Sequence, residues 1–494
     1  MTYCNPILRG FNPDPSICRV DEDYYLVTST FEFFPGIPVY HSRDLVNWTQ
    51  IGNCIHRPGQ LPMDRETHHE GIWAPTIRWH NGRFYVASKA KAFGNFIVSA
   101  QDPAGPWSDP VHVDIGGIDP DLLFDCGHVY LCTNDRAGGA QAAISMVEID
   151  PDSGALLSPI RPIWHGMSAW QPRYLEAPHV YRIGDWYYLL AAEGGTGYEH
   201  TITCARSRNV WGPYEDCPRL LLNNVPVGDS GVACTGHGDL VQAADGSWWC
   251  VHLATRPDDA WYSHLGRESF LLPVTWQDEW PVIADGRGHL QAEAPAGVVQ
   301  QPLQPWSADL SRIEPCWLFL RQPREDSYAC SPDGLTLTPT SVRLADETGS
   351  PTMMLVRPLD IGCTIEAEID FAPVREGDEA GVVMYISRFG YYSVGLKRTE
   401  GRNWIIVTRS GGGPVPLPVP APGTKCTFRI EAEKQCCRFS VAGEDGVFQP
   451  VVTRPVFGRS EAGKCFTGTL FGVYAQCSGE TAARARLLRF TMTP

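Results

Sequence analysis

The sequence predicts an all-β protein of two domains, a five-bladed β-propeller followed by a β-sandwich of the jelly-roll or concanavalin-like type. Three observations support this prediction. One hairpin pattern recurs five times before residue 282, later segments show a different alternating pattern, and no stretch has the period of a long amphipathic helix. The 494 residues also exceed what one hydrophobic core usually serves, which favours more than one domain.

Each copy of the repeat begins with a short apolar segment that often carries a proline, passes through a turn and ends in a pair of mostly aromatic residues. The spacing between copies leaves room for two more strands after each hairpin. Five four-stranded blades closed radially form a propeller whose first strands line an axial channel. A Rossmann-like or TIM-like α/β fold is the alternative, but it needs helices that the pattern does not supply. The five copies span residues 11–27, 72–87, 117–132, 175–190 and 236–251.

The repeat pattern ends with the predicted propeller, which covers residues 1–282. Residues 283–310 are rich in Gly, Pro, Gln and Ala, which is typical of a linker or of a strap across a domain seam. Residues 311–494 contain seven or more short alternating segments between Gly and Pro turns, and this pattern predicts the sandwich. The proline-rich segment 411–422 is expected to be a surface loop rather than a strand.

The charge of the chain narrows the classes of partner. Forty basic and fifty-six acidic residues give a net charge of −16 at pH 7. This charge disfavours nucleic acids and anionic membranes as partners, since both need a basic surface. A neutral oligosaccharide substrate is compatible with it, and so is a homo-oligomer.

The start of the chain and its cysteines predict a cytoplasmic protein. Residues 1–16 hold Arg9, Asp14 and three prolines where a signal peptide needs an apolar stretch, and no apolar run is long enough to span a membrane. The seventeen cysteines are odd in number and lack CxxC spacing, so they indicate neither a disulfide framework nor a zinc site. We expect buried free thiols in a reducing cytosol.

The register across the repeats brings carboxylates together. Aligned on the aromatic pairs, the copies place Asp14 and Asp119 at one position near the start of the first strand, and Glu176, Trp73 and His237 at the position one residue earlier. Because these strands line one channel, the three carboxylates are expected to share a pocket, where mutual repulsion keeps at least one of them protonated near neutral pH. A carboxylic acid beside ionised carboxylates suits glycoside hydrolysis.

Each of these residues also has a purely structural interpretation. Asp14 and Asp119 precede prolines and could be turn residues where strands begin. Glu176 could be an exposed strand end, and His237 could be a hydrogen-bonded core histidine. The agreement of register over several repeats favours the functional interpretation for the carboxylates.

Six short segments carry a resemblance to a known family. The segments NPDPS, GIWAPT, GIDPDLLFD, LEAPHVY, TGHGDLV and LGRES, in that order, resemble glycoside hydrolase family 43, which contains β-xylosidases, α-L-arabinofuranosidases and endo-arabinanases. The strap and the C-terminal region are similar to those of its two-domain β-xylosidases. The resemblance implies an inverting enzyme with Asp14 as general base and Glu176 as general acid. It also implies that Asp119 orients the acid and raises its pKa.

The resemblance further implies which residues bind the substrate. Arg267 in LGRES matches an arginine that reaches the substrate hydroxyls, and a structural ion pair is its alternative. Phe31 and Trp73 are expected to form walls of the terminal sugar subsite, although either could simply pack in the core. His237 is expected on the propeller axis. Phe466 in CFTG matches a sandwich loop that closes the pocket.

The predicted function is therefore that of an exo-acting β-xylosidase that releases xylose from short β-1,4-xylo-oligosaccharides. An α-L-arabinofuranosidase acting on arabinoxylan or arabino-oligosaccharides is the alternative within the class, and the unusual THHEG segment at 67–71 leaves that choice open. A non-catalytic glycan-binding propeller is the alternative from another class. No cofactor is required and no metal ligand set is identified. A structural or axial calcium stays an open question, because residues 483–490, where some relatives place a calcium-binding Asp, contain no carboxylate.

Overall fold

The computed structural model of the protein describes residues 1–135, 143–167, 174–225, 230–257, 263–411, 415–421, 423–458 and 466–494. No α-helix occurs in these ranges, and short 3-10 turns lie at Met63–Arg65 and Glu325–Ser327. None of the helical segments described there could span a membrane. The prediction of an all-β protein is confirmed, and a Rossmann-like or TIM-like fold is excluded for the part of the chain that the structure describes.

In the described residues, the N-terminal half of the chain forms five antiparallel sheets of four or five strands, one after another. Each sheet starts with the first strand of one sequence repeat, which we call its inner strand. The strands are, sheet by sheet, Ser16–Val20, Asp23–Val27, Gly36–Ser42 and Thr49–Ile55; Ile72–His80, Arg83–Ala90, Gly94–Ala100 and Val111–Val113; Ile118–Asp125, His128–Asp135, Ala143–Glu148 and Arg161–Trp164; Glu176–Ile183, Trp186–Glu193, Thr201–Ser207, Glu215–Asp216 and Leu222–Asn223; and Ala233–Gln242, Trp248–Thr255, Glu268–Gln277 and Trp280–Ile283.

The five inner strands contact one another in a closed cycle. Each inner strand contacts the inner strand of the next sheet, and that of the fifth sheet returns to that of the first. A closed cycle brings the starts of all five strands near one axis, as the register argument requires. The members of the cycle are Ser16–Val20, Ile72–His80, Ile118–Asp125, Glu176–Ile183 and Ala233–Gln242.

A buried ion network ties the inner strands together. The guanidinium of Arg78 donates to Asp121 at 2.6 Å and to Asp239 at 2.9 Å. Asp239 also accepts hydrogen bonds from Ser16 at 2.6 Å and from Tyr181 at 2.5 Å. These residues come from all five sheets. Removing one partner would leave a buried charge unpaired, which typically costs about 3–5 kcal/mol, so the network fixes how the sheets sit relative to each other.

The C-terminal half is a sandwich of two sheets. Strand Cys363–Phe371 alternates buried and half-buried residues along its whole length, the period of two expected for a sheet with one face in the core. Apolar side chains of both sheets, such as Phe428 and Val473, meet in one hydrophobic core. In the described ranges, the first sheet contains Tyr328–Ser331, Gly334–Leu337, Ala485–Thr493, Cys363–Phe371, Lys425–Ala432, Cys436–Ala442, Gln449–Pro455 and Trp306–Ser307, and the second contains Thr352–Val356, Leu470–Gln476, Glu379–Ser387, Gly390–Thr399, Arg402–Arg409 and Val415–Pro420.

The expectation of a surface loop at 411–422 is wrong for residues 415–420. Val415–Pro420 forms the last strand of the second sheet and pairs with Arg402–Arg409. Proline cannot donate to a ladder, but an edge strand needs donors on one side only, so alternating prolines are compatible with this position. Residues 412–414 and 422 lie outside the described residues.

Three short strand pairs connect the parts of the chain. Two of them involve residues 283–310, the predicted strap, which pairs with the N-terminus and with the sandwich. The third joins the two halves directly. The boundaries 1–282, 283–310 and 311–494 stay predictions. The pairs are Thr2–Cys4 with Gln291–Glu293, Trp306–Ser307 with Ala485–Thr493, and Phe33–Phe34 with Phe319–Leu320.

The two halves share one hydrophobic cluster. Phe11 and Phe33 of the N-terminal half have ring centroids 6.0 Å apart, and Phe33 meets Tyr385 of the sandwich at 6.4 Å. Trp73 and Phe466 pack against the edge of the same cluster. Each fully buried aromatic side chain contributes about 1.5–3 kcal/mol relative to exposure. The sandwich is therefore a structural part of the wall where the predicted site lies.

Candidate active site

A cavity of about 580 Å³ opens where the inner strands begin. Its volume is typical of a small-molecule site. All eight residues that the sequence predicted for the site line this cavity, although they come from distant parts of the chain. They are Asp14, Phe31, Trp73, Asp119, Glu176, His237, Arg267 and Phe466.

The backbone places the carboxylates by interrupting regular pairing. The ladder shifts register at Asp119 in the third sheet and at Ala177, beside Glu176, in the fourth. Asp119 and Ala177 have left-handed φ values of 55° and 50°, and Asp14, just before the first inner strand, has 55°. Each of the three precedes a proline, which disfavours the right-handed α region and cannot donate to the ladder. Such bulges re-aim side chains and are common next to active sites.

Asp14 is an ionised carboxylate in this cavity. Its Oδ1 accepts a hydrogen bond from Arg267 Nη1 at 2.7 Å, and its Oδ2 accepts one from Ser29 Oγ at 2.6 Å. Nδ1 of His237 lies 3.6 Å from Oδ1. Burial opposes the negative charge, but Arg267, then His237 and Ser29, together hold the pKa of Asp14 below its usual value.

The pKa values of Glu176 and Asp119 are raised, whereas that of Asp14 is lowered. Burial, followed by the charge of Asp14, raises the pKa of Glu176 to about 7. Burial, followed by the charges of Glu176 and Asp14, raises the pKa of Asp119 well above its usual value, although the Ala177 N–H donates to Asp119 at 3.2 Å. At neutral pH the cavity can therefore hold an ionised carboxylate and a protonated carboxyl together, which is the requirement for combined base and acid catalysis.

Aromatic rings and one cation form the wall beside Asp14. The rings of Phe31 and Phe466 are stacked, with centroids 5.9 Å apart. The guanidinium carbon of Arg267 lies 5.5 Å from the first ring centroid and 5.7 Å from the second, within cation–π range. Arg267 Nη2 also donates to the Phe466 carbonyl at 3.3 Å. The ion pair that was the structural alternative for Arg267 is present, and it joins Arg267 to Asp14.

Three features of the cavity were missed by sequence reasoning. His200 lines it, is 3% exposed and has its pKa lowered to about 4, chiefly by burial. Tyr174 presents an exposed ring at the rim, and Gly194–Gly197 forms part of the lining. The only sequence signal for His200 is indirect. A Cβ on Gly236 would lie 2.3 Å from its ring, so the glycine in TGHGD is needed for this contact.

Among the described residues that line the cavity, the guanidinium of Arg267 is the permanent positive charge. Within the described ranges, no group of three or more His, Cys, Asp or Glu side chains is arranged to hold a metal ion. His237 is buried beside Asp14, and its pKa is lowered to about 3, chiefly by burial, so the ring is neutral at pH 7. The expectation that no cofactor is required stays a prediction.

A protonated and an ionised carboxyl in one cavity are what glycoside hydrolysis requires, and the relatives of the chain agree with this class. Residues 3–281 match the model of glycosyl hydrolases family 43. Residues 309–492 match that of the β-xylosidase C-terminal concanavalin A-like domain. The chain belongs to glycosyl hydrolase family 43, which confirms the resemblance read from the six segments.

Relatives named as arabinofuranosidases and relatives named as xylosidases both resemble nearly the whole chain. A non-reducing end α-L-arabinofuranosidase, BoGH43B from Bacteroides ovatus, is 37% identical over 97% of this chain and 92% of its own length. A xylosidase/arabinosidase from Butyrivibrio fibrisolvens is 33% identical over 97% of this chain and 96% of its own length. The crystal structure of a xylan β-1,4-xylosidase from Bacillus halodurans superposes with a TM-score of 0.91 at 31% identity, covering 99% of this chain and 100% of the other.

Proposed function

We propose that this enzyme is an exo-acting, inverting hydrolase that releases xylose from short β-1,4-xylo-oligosaccharides. The observation that carries the proposal is the opposite protonation of Asp14 and Glu176 in one cavity. A second candidate, α-L-arabinofuranosidase activity, is favoured by the 37% identical arabinofuranosidase from Bacteroides ovatus. The two pentoses present similar faces to a small pocket, so one cavity can serve both activities.

The proposed mechanism needs no covalent intermediate. Asp14 accepts a proton from a water molecule. The oxygen of that water attacks the anomeric carbon from the face opposite the leaving group. Glu176 donates its proton to the glycosidic oxygen as the carbon–oxygen bond breaks. Asp119, fixed by the Ala177 N–H, orients the acid. Neutral His237 and the ion pair with Arg267 keep Asp14 in position without removing its charge.

The closed wall supports action on chain ends. Phe466, stacked on Phe31, blocks one side of the cavity with a ring from the sandwich. In this proposal the terminal sugar lies between the wall and the carboxylates, and its leaving group lies on the side of Glu176. An apolar ring face also suits the C–H face of a pentose.

We also infer that the five N-terminal sheets are the blades of a five-bladed β-propeller. Their consecutive order and the closed cycle of inner strands support this architecture. The ion network around Arg78 then occupies the axis below the cavity. A cytoplasmic location is part of the same proposal, and its support is that the sixteen cysteines in the described residues form no disulfide bond.

The proposed function is tested by the release of nitrophenol from aryl β-D-xyloside and aryl α-L-arabinofuranoside. We expect hydrolysis of at least one of them, and the ratio of the two kcat/KM values decides between the candidates. Release of neither nitrophenol would favour the non-catalytic glycan-binding alternative. Xylobiose and arabino-oligosaccharides then extend the comparison to natural leaving groups.

The stereochemistry of the reaction gives an independent prediction. Attack by water opposite the leaving group yields a first-formed sugar with inverted anomeric configuration. Proton NMR during the first minutes of turnover, before mutarotation, distinguishes the two anomers. Retention of configuration, or transfer of the sugar to added methanol, would contradict the mechanism and point to a covalent intermediate.

A further inference from the structure

The segment 67–71 contacts the wall of the cavity without lining it. His69 accepts hydrogen bonds from two residues that line the cavity, Trp73 and Phe466. Its carbonyl accepts the Trp73 indole N–H at 3.1 Å, and its ring Nδ1 accepts the backbone N–H of Phe466 at 3.3 Å. The rings of His69 and Phe466 also meet edge to face, with centroids 5.3 Å apart. One residue thus connects a wall residue of the N-terminal half with one of the sandwich.

The direction of the second hydrogen bond defines the role of the His69 ring. A backbone N–H can only donate, so Nδ1 of His69 must carry a lone pair. In this contact His69 therefore acts as a hydrogen-bond acceptor through Nδ1. His69 also has a left-handed φ of 72°, a conformation that costs free energy for a residue other than glycine and is common at functional positions.

The backbone beside His69 has little freedom to move. Gly71 has a φ of 95°, and a Cβ there would lie 2.0 Å from the Phe31 carbonyl oxygen. Ile72 exchanges two backbone hydrogen bonds with Phe31, at 2.9 and 3.0 Å. The same short segment therefore fixes the third wall residue, Phe31, against which Phe466 stacks.

His68 supports His69 from the side away from the cavity. The two histidine rings have centroids 3.5 Å apart, and the His68 ring meets Phe389 of the sandwich at 5.3 Å. Nδ1 of His68 lies 3.5 Å from a carboxylate oxygen of Glu32, which is 2% exposed. Neither ring nitrogen of His68 has a hydrogen-bond partner in the described residues, so packing holds the ring in place.

We propose that His69 is a positioning residue that holds Phe466 of the sandwich against the cavity and thereby sets the closed end of the sugar subsite. The proposal rests on the proposed function. Phe466 in turn contacts Arg267, which pairs with Asp14, so a displaced Phe466 loosens the wall and the support of the general base together. His69 itself is not among the residues that line the cavity.

Two substitutions at the same position test the proposal. His69→Gly relieves the left-handed backbone and removes the acceptor, so any loss reports the side chain rather than strain. His69→Asn also tolerates a positive φ and places an amide oxygen close to the position of Nδ1. We expect kcat/KM on xylobiose to fall about ten-fold in His69→Gly and to recover most of that loss in His69→Asn. Thermal unfolding midpoints check that both variants fold.

A double-mutant cycle with Phe466→Ala shows whether His69 acts through Phe466. If it does, adding His69→Gly to Phe466→Ala changes kcat/KM by less than about two-fold. Losses that multiply, or an Asn variant no better than the Gly variant, would overturn the proposal.

A measurement independent of turnover separates this proposal from the proposed function. Deuterium uptake by the backbone amide of Phe466 should be faster in His69→Gly than in wild type and slow again in His69→Asn. Equal uptake in all three proteins would refute the positioning role. A wild-type enzyme that cleaves neither aryl glycoside would refute the proposed function, whatever the exchange result.

Discussion

Asp14→Asn lowers kcat by roughly 10²- to 10⁴-fold on every glycoside, because activation of the attacking water is needed whatever the leaving group. Asparagine keeps the volume of the side chain but cannot accept the proton. The carboxylate is held ionised by Arg267 at 2.7 Å, so wild type has this base available well below neutral pH. Steady-state kinetics on xylobiose and on aryl glycosides measure the effect.

The control for Asp14→Asn must separate chemistry from folding. The substitution leaves the buried guanidinium of Arg267 without its charged partner, and this can cost about 3–5 kcal/mol of stability. Ser29→Ala removes one hydrogen bond to the same carboxylate and keeps the charge, so it is expected to reduce kcat only slightly. A folded Asp14→Asn protein that keeps more than a tenth of wild-type kcat would refute the role of general base.

Glu176→Gln is expected to separate substrates by the quality of their leaving groups. On xylobiose, whose leaving alkoxide needs a proton, kcat/KM should fall by about 10²- to 10⁴-fold. On a dinitrophenyl glycoside, whose leaving group departs as a stable anion, the loss should be at least ten-fold smaller. Equal losses on both substrates would mean that Glu176 is not the acid and that another group protonates the leaving oxygen.

The pH profile provides a second readout of Glu176. Its pKa is raised to about 7, by burial first and then by the charge of Asp14. A raised pKa keeps the acid protonated below that value, so wild-type kcat/KM on xylobiose should be lost as the pH rises through about 7. In Glu176→Gln, the residual kcat/KM on xylobiose should no longer fall as the pH rises through about 7.

Much of the site could be predicted because the hairpin repeat reports backbone register. Asp14 and Asp119 occur at the same place in their copies and Glu176 occurs one residue earlier in its own, and the structure brings all three into one cavity from three different sheets. The prolines that follow the left-handed residues are visible in the sequence, so the interruption of the ladder has a local cause. Phe466 was reached by family resemblance, since no local pattern relates it to the repeats.

What could not be predicted depends on contacts between segments that the repeat does not align. His200 precedes the third strand of the fourth sheet, where the hairpin pattern offers no anchor. Its ring packs against Gly236 and lies 3.2 Å from the Cys234 carbonyl, in a different sheet. The strand Val415–Pro420 was not predicted because its proline content was taken to exclude pairing. An edge strand pairs on one side only and can therefore contain prolines. The family resemblance implied that Asp119 raises the pKa of Glu176. In the structure, the charge that raises this pKa, after burial, is that of Asp14, and the pKa of Asp119 is itself raised.

The contact between His69 and Phe466 spans 397 residues of sequence, and this has a consequence for synthesis. A ribosome adds about 5–20 residues per second, so Phe466 leaves it roughly 20–80 s after His69. During that interval the nascent N-terminal half can fold its sheets and assemble its carboxylates, but one side of the sugar subsite is still open. Full activity is therefore expected only after translation of the sandwich, and a prematurely terminated chain should bind sugar weakly even if its catalytic groups are in place.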